Sequence, residues 1–82
     1  MVVSVSFSGL QREQAQTDRI KVPLSDNVQR VDDLFGYIKE NYPELSINRG
    51  MVLVTVNNHI SSPEQGLQAD DEVSFIPHIG GG

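Results

Sequence analysis

Short runs of alternating apolar and polar residues are the feature that most limits how this chain can fold. The runs span residues 2–8, 19–24, 51–56, 59–60 and 72–77. Period-two alternation that is rich in β-branched residues predicts half-buried strands. Residues 51–56 are the most apolar run, which predicts a central strand. Pro23 has no amide proton, so we expect residues 19–24 to form an edge strand or to end near the proline.

One segment has helical periodicity instead. Its apolar residues recur three and four positions apart, at Val28, Val31, Leu34, Phe35, Ile38 and Tyr42. Turn-forming residues 25–27 precede this segment and Pro43 follows it, which predicts a helix from about residue 28–31 to Asn41. Residues 11–18 contain Ala15 as their sole apolar residue and predict a solvated loop.

The order of these elements predicts an α+β domain. A hairpin, a crossing helix and later strands fit the β-grasp, or ubiquitin-like, architecture. We expect a mixed sheet of four or five strands with one main helix across it. Residues 1–77 should form this single domain and residues 78–82 a flexible C-terminal glycine tail. The expected core contains Val3, Val5, Phe7, Leu34, Ile38, Val54, Val73 and Phe75.

Composition excludes several classes of protein. The 82 residues include no cysteine, which excludes disulfide scaffolds, cysteine zinc sites and catalytic thiols. A formal net charge of −5 argues against nucleic-acid binding and favours a partner with a basic docking face. The longest apolar run, residues 51–54, is too short to cross a membrane, and the N-terminus has no basic region typical of a signal peptide. We therefore expect no membrane partner and a cytoplasmic location.

No residue pattern predicts a catalytic or metal site in the folded part. His59 and His78 have no partner at metal-ligand spacing, and the motifs GxSxG and GxxxxGK[ST] are absent. The acid pairs at residues 32–33 and 70–71 are typical of a first helical turn and of a tight turn. We therefore expect neither a self-contained enzyme nor a metal or cofactor bound by this chain.

The final residues, Gly80, Gly81 and Gly82, are the strongest functional signal. Glycine has no Cβ, so a glycine segment is thin and conformationally free. Residues 77–82 could extend roughly 20 Å at about 3.3–3.6 Å per residue. Such a tail could pass down a narrow channel and present the Gly82 carboxylate in another protein's active site. A frayed terminus or an expression scar is the alternative interpretation.

The last third of the chain combines several motifs. They are the turn Val56-Asn57, Leu67, the acidic turn Asp71-Glu72-Val73, the run Phe75-Ile76-Pro77 and the terminal Gly81-Gly82. Together they resemble the end of the molybdopterin synthase small subunit (MoaD-type) family. The related thiamine-pathway carrier ThiS usually lacks the proline, so Pro77 favours the MoaD type. The chain departs from the family pattern at three positions. The family more often has glycine at the position of Asp70, proline at that of His78, and Ala, Thr or Ser at that of Gly80.

This resemblance implies a sulfur carrier, the non-catalytic small subunit of a molybdopterin synthase-like complex. An E1-like (MoeB-like) enzyme would use ATP to adenylate the Gly82 carboxylate, and a persulfide donor would convert it to a thiocarboxylate. The large subunit (MoaE-like) would then receive the sulfur for the molybdenum cofactor. Two other functions remain open: sulfur transfer to thiamine, cysteine or tRNA thiolation, and a ubiquitin-like modifier joined to lysine. A plain structural interaction domain is a third possibility, and it would require the tail to be dispensable.

The alternation in the last strand also predicts a docking face. Ile76 points opposite to Phe75 and hence away from the helix-covered core, and Ile60 on the short strand is expected beside it. An exposed apolar patch on a small domain often marks a partner surface. The predicted partner interface comprises Ile60, Ile76, Pro77, His78 and Ile79.

Overall fold

Five strands form one mixed sheet in the computed structural model, which describes residues 1–45 and 47–77. The elements are β1 (Val2–Ser6), α1 (Leu10–Ala15), β2 (Arg19–Pro23), α2 (Val31–Asn41), a 3-10 turn (Arg49–Met51), β3 (Val52–Val56), β4 (His59–Ile60) and β5 (Glu72–Pro77). The strand order is β2-β1-β5-β3-β4. β1 and β5 are parallel, and the other neighbours are antiparallel. The prediction of a mixed sheet crossed by one main helix is confirmed.

The positions of the strands refine the sequence interpretation. β2, which contains Pro23, is an edge strand as predicted. The middle strand is β5 rather than the more apolar β3, which lies between β5 and the short β4. The apolar character of β3 arises because Val52, Val54 and Val56 are buried on its inner face and Leu53 on its outer face is half-buried.

Between β1 and β2 the chain forms a helix, so the prediction of a solvated loop there is wrong. α1 begins after Gly9, whose φ is 58°, and ends at Gln16 with a φ of 60°. Gln11 is buried, and Ala15 packs against the core. A helix of six residues is too short to show an apolar period, and its one fully buried residue is polar. The pattern of residues 11–18 therefore contained no helical signal.

The main helix, α2, packs on the inner face of the sheet. Its Val31, Leu34 and Ile38 belong to the same buried cluster as the inward residues of the strands, and the Phe35 and Phe75 ring centroids lie 5.3 Å apart. All eight predicted core residues are buried: Val3, Val5, Phe7, Leu34, Ile38, Val54, Val73 and Phe75.

Asp33 caps the start of α2. Its carboxylate accepts hydrogen bonds from the backbone N–H groups of Gln29 and Arg30, each at 3.0 Å. These hydrogen bonds favour the charged form, so they hold the pKa of Asp33 below its ordinary value. The bond from the Gln29 N–H has the largest effect. This carboxylate, one of the acid pair at residues 32–33, therefore has the structural role that the sequence predicted.

Candidate functional site

β5 leads out of the middle of the sheet towards the predicted functional end of the chain. Pro77, its last residue, is half-buried and lies opposite Val52 in the ladder with β3. The other predicted tail and interface residues, His78, Ile79, Gly80, Gly81 and Gly82, lie outside the described residues. The structure therefore locates the root of the tail and the surfaces around it.

Two turns linked to each other fix the start of β5. Asn57 accepts a hydrogen bond from the Glu72 N–H through Oδ1 and donates one from Nδ2 to Asp71 Oδ1, both at 3.0 Å. The backbone N–H of Asn57 also donates to the backbone carbonyl oxygen of Glu72 at 2.7 Å. Asp71 Oδ2 accepts a hydrogen bond from the Gln68 N–H at 2.8 Å. The turn after β3 is thereby attached to the turn before β5.

Left-handed backbone geometry explains why these turn residues are Asn and Asp. Asn57, Asn58 and Asp70 have φ values of 52°, 69° and 70°. Asn and Asp adopt this region more readily than other residues with a Cβ. Asp70 therefore takes the place of the more usual glycine without loss of the turn.

Ile60 and Ile76 lie on the open face of the sheet, the face that α2 does not cover. Ile76 is opposite Leu53. Ile60 is opposite Thr55, which is two residues after Leu53 on β3 and therefore on the same face. Their exposed fractions are 40% for Ile76 and 73% for Ile60. We call Leu53, Ile60 and Ile76 the apolar patch. Leu53 was not predicted, although the alternation of residues 51–56 already put it on the outer face.

Apart from Val2 and Pro23 at the end far from the tail, the rest of the open face is mostly polar. One row crosses all five strands. Ser6 lies between Arg19 and Ser74, and the row continues from Ser74 through Thr55 to Ile60. Arg19 forms an exposed ion pair with Glu72 at 3.5 Å, a contact that contributes little to stability. Leu53 and Ile76 of the apolar patch thus lie in the row nearest the tail, and Ile60 ends the next row at the β4 edge. The charged groups lie towards β2 and the start of β5.

The acidic and histidine side chains of the described residues are spread over the surface. No group of three or more His, Cys, Asp or Glu that could hold a metal is found among residues 1–45 and 47–77. His59 is exposed on β4. Within the same part of the chain, no helix is both long and apolar enough for a membrane span.

Comparison with known proteins identifies the family. The family model described as the ThiS family matches residues 5–82 of the chain. The chain belongs to the ThiS family. The resemblance to MoaD- and ThiS-type sulfur carriers inferred from the sequence is thereby confirmed. A search of curated proteins finds no match.

Solved structures show the same fold as this ThiS-family chain. A protein described as a candidate molybdopterin converting factor subunit 1 from Pyrococcus furiosus has a TM-score of 0.82 at 23% identity, covering 96% of this chain and 99% of its own. Small archaeal modifier protein 1 (SAMP1) from Haloferax volcanii has a TM-score of 0.82 at 17% identity, with full coverage of both chains.

A third similar structure is a complex. It contains subunits 1 and 2 of the molybdopterin-converting factor from Helicobacter pylori, and the match has a TM-score of 0.71 at 20% identity with 100% of both chains covered. These likenesses confirm the predicted ubiquitin-like β-grasp fold.

Proposed function

We propose that this chain is a sulfur carrier for molybdopterin synthesis, with the Gly82 carboxylate as the reacting group. The observation that carries the proposal is the ThiS-family match, which extends through the terminal glycines to residue 82. The position of β5 supports it, because this middle strand of the sheet ends at Pro77, three positions before Gly80.

The proposed chemistry begins with an unreactive group. A C-terminal carboxylate is ionised at neutral pH and is a poor electrophile. An E1-like enzyme would let a carboxylate oxygen attack the α-phosphorus of ATP, with pyrophosphate leaving. A persulfide sulfur would then displace AMP, and a second thiol of the donor would form a disulfide and release the thiocarboxylate. ATP and the catalytic residues belong to the partners in this scheme.

The apolar patch is the proposed docking face. Leu53, Ile60 and Ile76 lie beside the root of the tail and leave apolar surface exposed. An apolar face of this kind suits burial against a large subunit (MoaE-like) or an activating enzyme (MoeB-like). The Helicobacter pylori complex supports the first partner, because its subunit 1 has this fold.

A ubiquitin-like modifier is the second candidate function. The likeness to small archaeal modifier protein 1 favours it, and such a modifier would join Gly82 to a lysine amine. Transfer of sulfur to thiamine, cysteine or tRNA thiolation would use the same activated end. These candidates differ in what finally attacks the activated carbonyl carbon.

Intact mass spectrometry with a cognate activating enzyme, ATP and a sulfur donor tests the proposal. The expected product is heavier by the difference between one sulfur and one oxygen atom. Deletion of Gly82 should abolish the gain, because the chain then ends about 3.5 Å short. A variant with one alanine added after Gly82 is the matched control for length, and it should also remain unmodified.

The outcome separates the candidates. Full sulfuration of either altered chain would refute a reaction at the Gly82 carboxylate. A product heavier by a whole target protein, linked through a lysine amide, would support the modifier. Addition of a purified large subunit together with its pterin precursor, which accepts the sulfur, should discharge the thiocarboxylate to the carboxylate if the molybdopterin route is correct, and an undischarged carrier would refute that route.

A further inference from the structure

The open face of the sheet differs in charge from the chain as a whole. Among the described strand residues on this face, the charged ones are Arg19 and Lys21 on β2 and Glu72 on β5. Arg19 forms the ion pair with Glu72, whereas Lys21 has no ion pair within the part of the chain that the structure describes. The face is therefore weakly basic, although the chain has a formal net charge of −5.

Most of the acidic residues lie on other surfaces. The helix α2 contains Asp32, Asp33 and Glu40 against one basic residue, Lys39. The carboxylate of Asp71, in the turn before β5, already accepts two hydrogen bonds from within the chain. A partner that approaches the open face therefore meets the basic groups of β2 and not the acidic surface of α2.

The edge strand β2 presents Lys21 at the border of this face. Ile20 and Val22 are buried on the inner face, so the exposed side chain of Lys21 between them lies on the open face, opposite Ser4. A lysine ammonium is a compact charge with three donors on a flexible stem. Such a group can reach a carboxylate at the rim of an interface.

The basic edge and the apolar patch fit within one docking footprint. Arg19 and Ile60 lie at the two ends of one row, which crosses four strand spacings, or about 19 Å. A partner surface of standard size buries about 800 Å² on each side, which corresponds to a disc about 32 Å across. Between the two ends lie Ser6, Ser74 and Thr55, whose hydroxyl groups can donate and accept hydrogen bonds. A partner seated on the apolar patch can therefore extend as far as β2.

We propose that the docking face extends from the apolar patch across these hydroxyl residues to Lys21, and that the partner is acidic where it meets β2. The large subunit then combines an apolar surface that covers Ile60 and Ile76 with a carboxylate that faces Lys21, about 17–20 Å away. Complementary charges of this kind orient the two proteins and speed their association. The inference rests on the proposed function, and it assigns this face a partner of opposite charge from the one that the net charge of the chain favours.

Charge reversal at Lys21 tests the inference. Lys21→Glu should weaken binding of a purified large subunit about tenfold in titration calorimetry at 0.1 M salt, because an attractive pair becomes a like-charge contact. Lys21→Gln should have a smaller effect. Lys39→Glu is the matched control, because it makes the same change in charge at an exposed position of α2, and it should change Kd less than about twofold. At 1 M salt the screening length falls from about 10 Å to about 3 Å, so the affinities should converge.

Carbodiimide crosslinking, which joins amines to carboxylates in contact, provides a second measurement. Mass spectrometry of the crosslinked complex should find Lys21, and not Lys39, joined to an Asp or Glu of the large subunit. Absence of the Lys21 crosslink in a complex that has formed would contradict the pairing.

The remaining outcomes separate the inference from the proposed function. A lysine on an edge strand can also serve only to prevent unwanted strand pairing. In that case Lys21→Glu would bind as well as Lys39→Glu, and the inference would be overturned. Tighter binding of Lys21→Glu would reveal a basic partner surface and would also overturn it. A wild-type chain that does not bind the large subunit at all would refute the proposed partnership itself, and the inference would fail with it.

Discussion

Replacement of Asn57 tests how the two turns position β5. Asn57→Ala removes two surface hydrogen bonds, to Asp71 and to the Glu72 N–H, worth about 0.5–1 kcal/mol each. It also leaves an alanine at a φ of 52°, where a left-handed residue with a Cβ costs about 1–2 kcal/mol. We expect a loss of about 2–4 kcal/mol in the free energy of unfolding, a large share of the stability of a domain this size.

Two further variants separate these contributions. Asn57→Gly also loses both hydrogen bonds but has no left-handed penalty, so it should be less destabilising than Asn57→Ala. Asn58→Ala is the matched control, because Asn58 has a φ of 69° but takes no part in the contacts with Asp71 and Glu72. It should show the backbone cost alone.

Urea denaturation followed by circular dichroism measures all three variants. The midpoints should fall in the order wild type, Asn58→Ala, Asn57→Ala, with an unchanged slope if the unfolding remains two-state. In thermal unfolding each kcal/mol should lower Tm by about 4–8 °C. If Asn57→Ala were no more destabilised than Asn58→Ala, the side-chain link between the turns would have no energetic role, and the reasoning would be refuted.

Three further predictions concern the patch, the cap and the turn into α1. Ile76→Asp should weaken binding of a large-subunit partner by about 2 kcal/mol or more in titration calorimetry, and a change in the circular dichroism spectrum would contradict its outward position. Asp33→Asn should reduce the loss of stability on acidification. Because the pKa of Asp33 is lowered in the folded state, its stabilisation is present above the unfolded pKa, about 3.9, and is lost as the pH falls through the folded pKa. An unchanged pH profile of Tm would contradict this. Gly9→Ala should cost about 1–3 kcal/mol in urea unfolding, because φ 58° with ψ −133° suits glycine alone, and a wild-type midpoint would refute the strain.

The strands were predictable because their burial has a period of two. Val3 and Val5 on β1, and Val73 and Phe75 on β5, alternate with exposed or half-buried residues, and one face of the sheet packs against α2. The same alternation placed Ile76 on the open face. A period is a local property, so it can be found in a single sequence.

Features that depend on distant contacts could not be predicted in the same way. α1 is held by burial of Gln11 and contact of Ala15 with the core, which no short window of polar residues reveals. Asn57 contacts Asp71 and Glu72, fourteen and fifteen residues away. The sequence showed both turns, but their connection depends on the pairing of β3 with β5.

The apolar patch and the proposed reactive end lie on one continuous piece of chain. Ile76 is on β5, and Gly82 is six positions further along the chain, a distance of at most roughly 20 Å. β5 is hydrogen-bonded to a strand on each side, β1 and β3. A partner that binds the tail therefore acts on a strand that cannot leave the sheet without loss of both pairings. If the Gly82 carboxylate is the reacting group, as proposed, docking on the patch confines it near the partner's active site at a high effective concentration. Contact at the patch can then be weak enough for rapid release, which a carrier that visits two partners in turn requires.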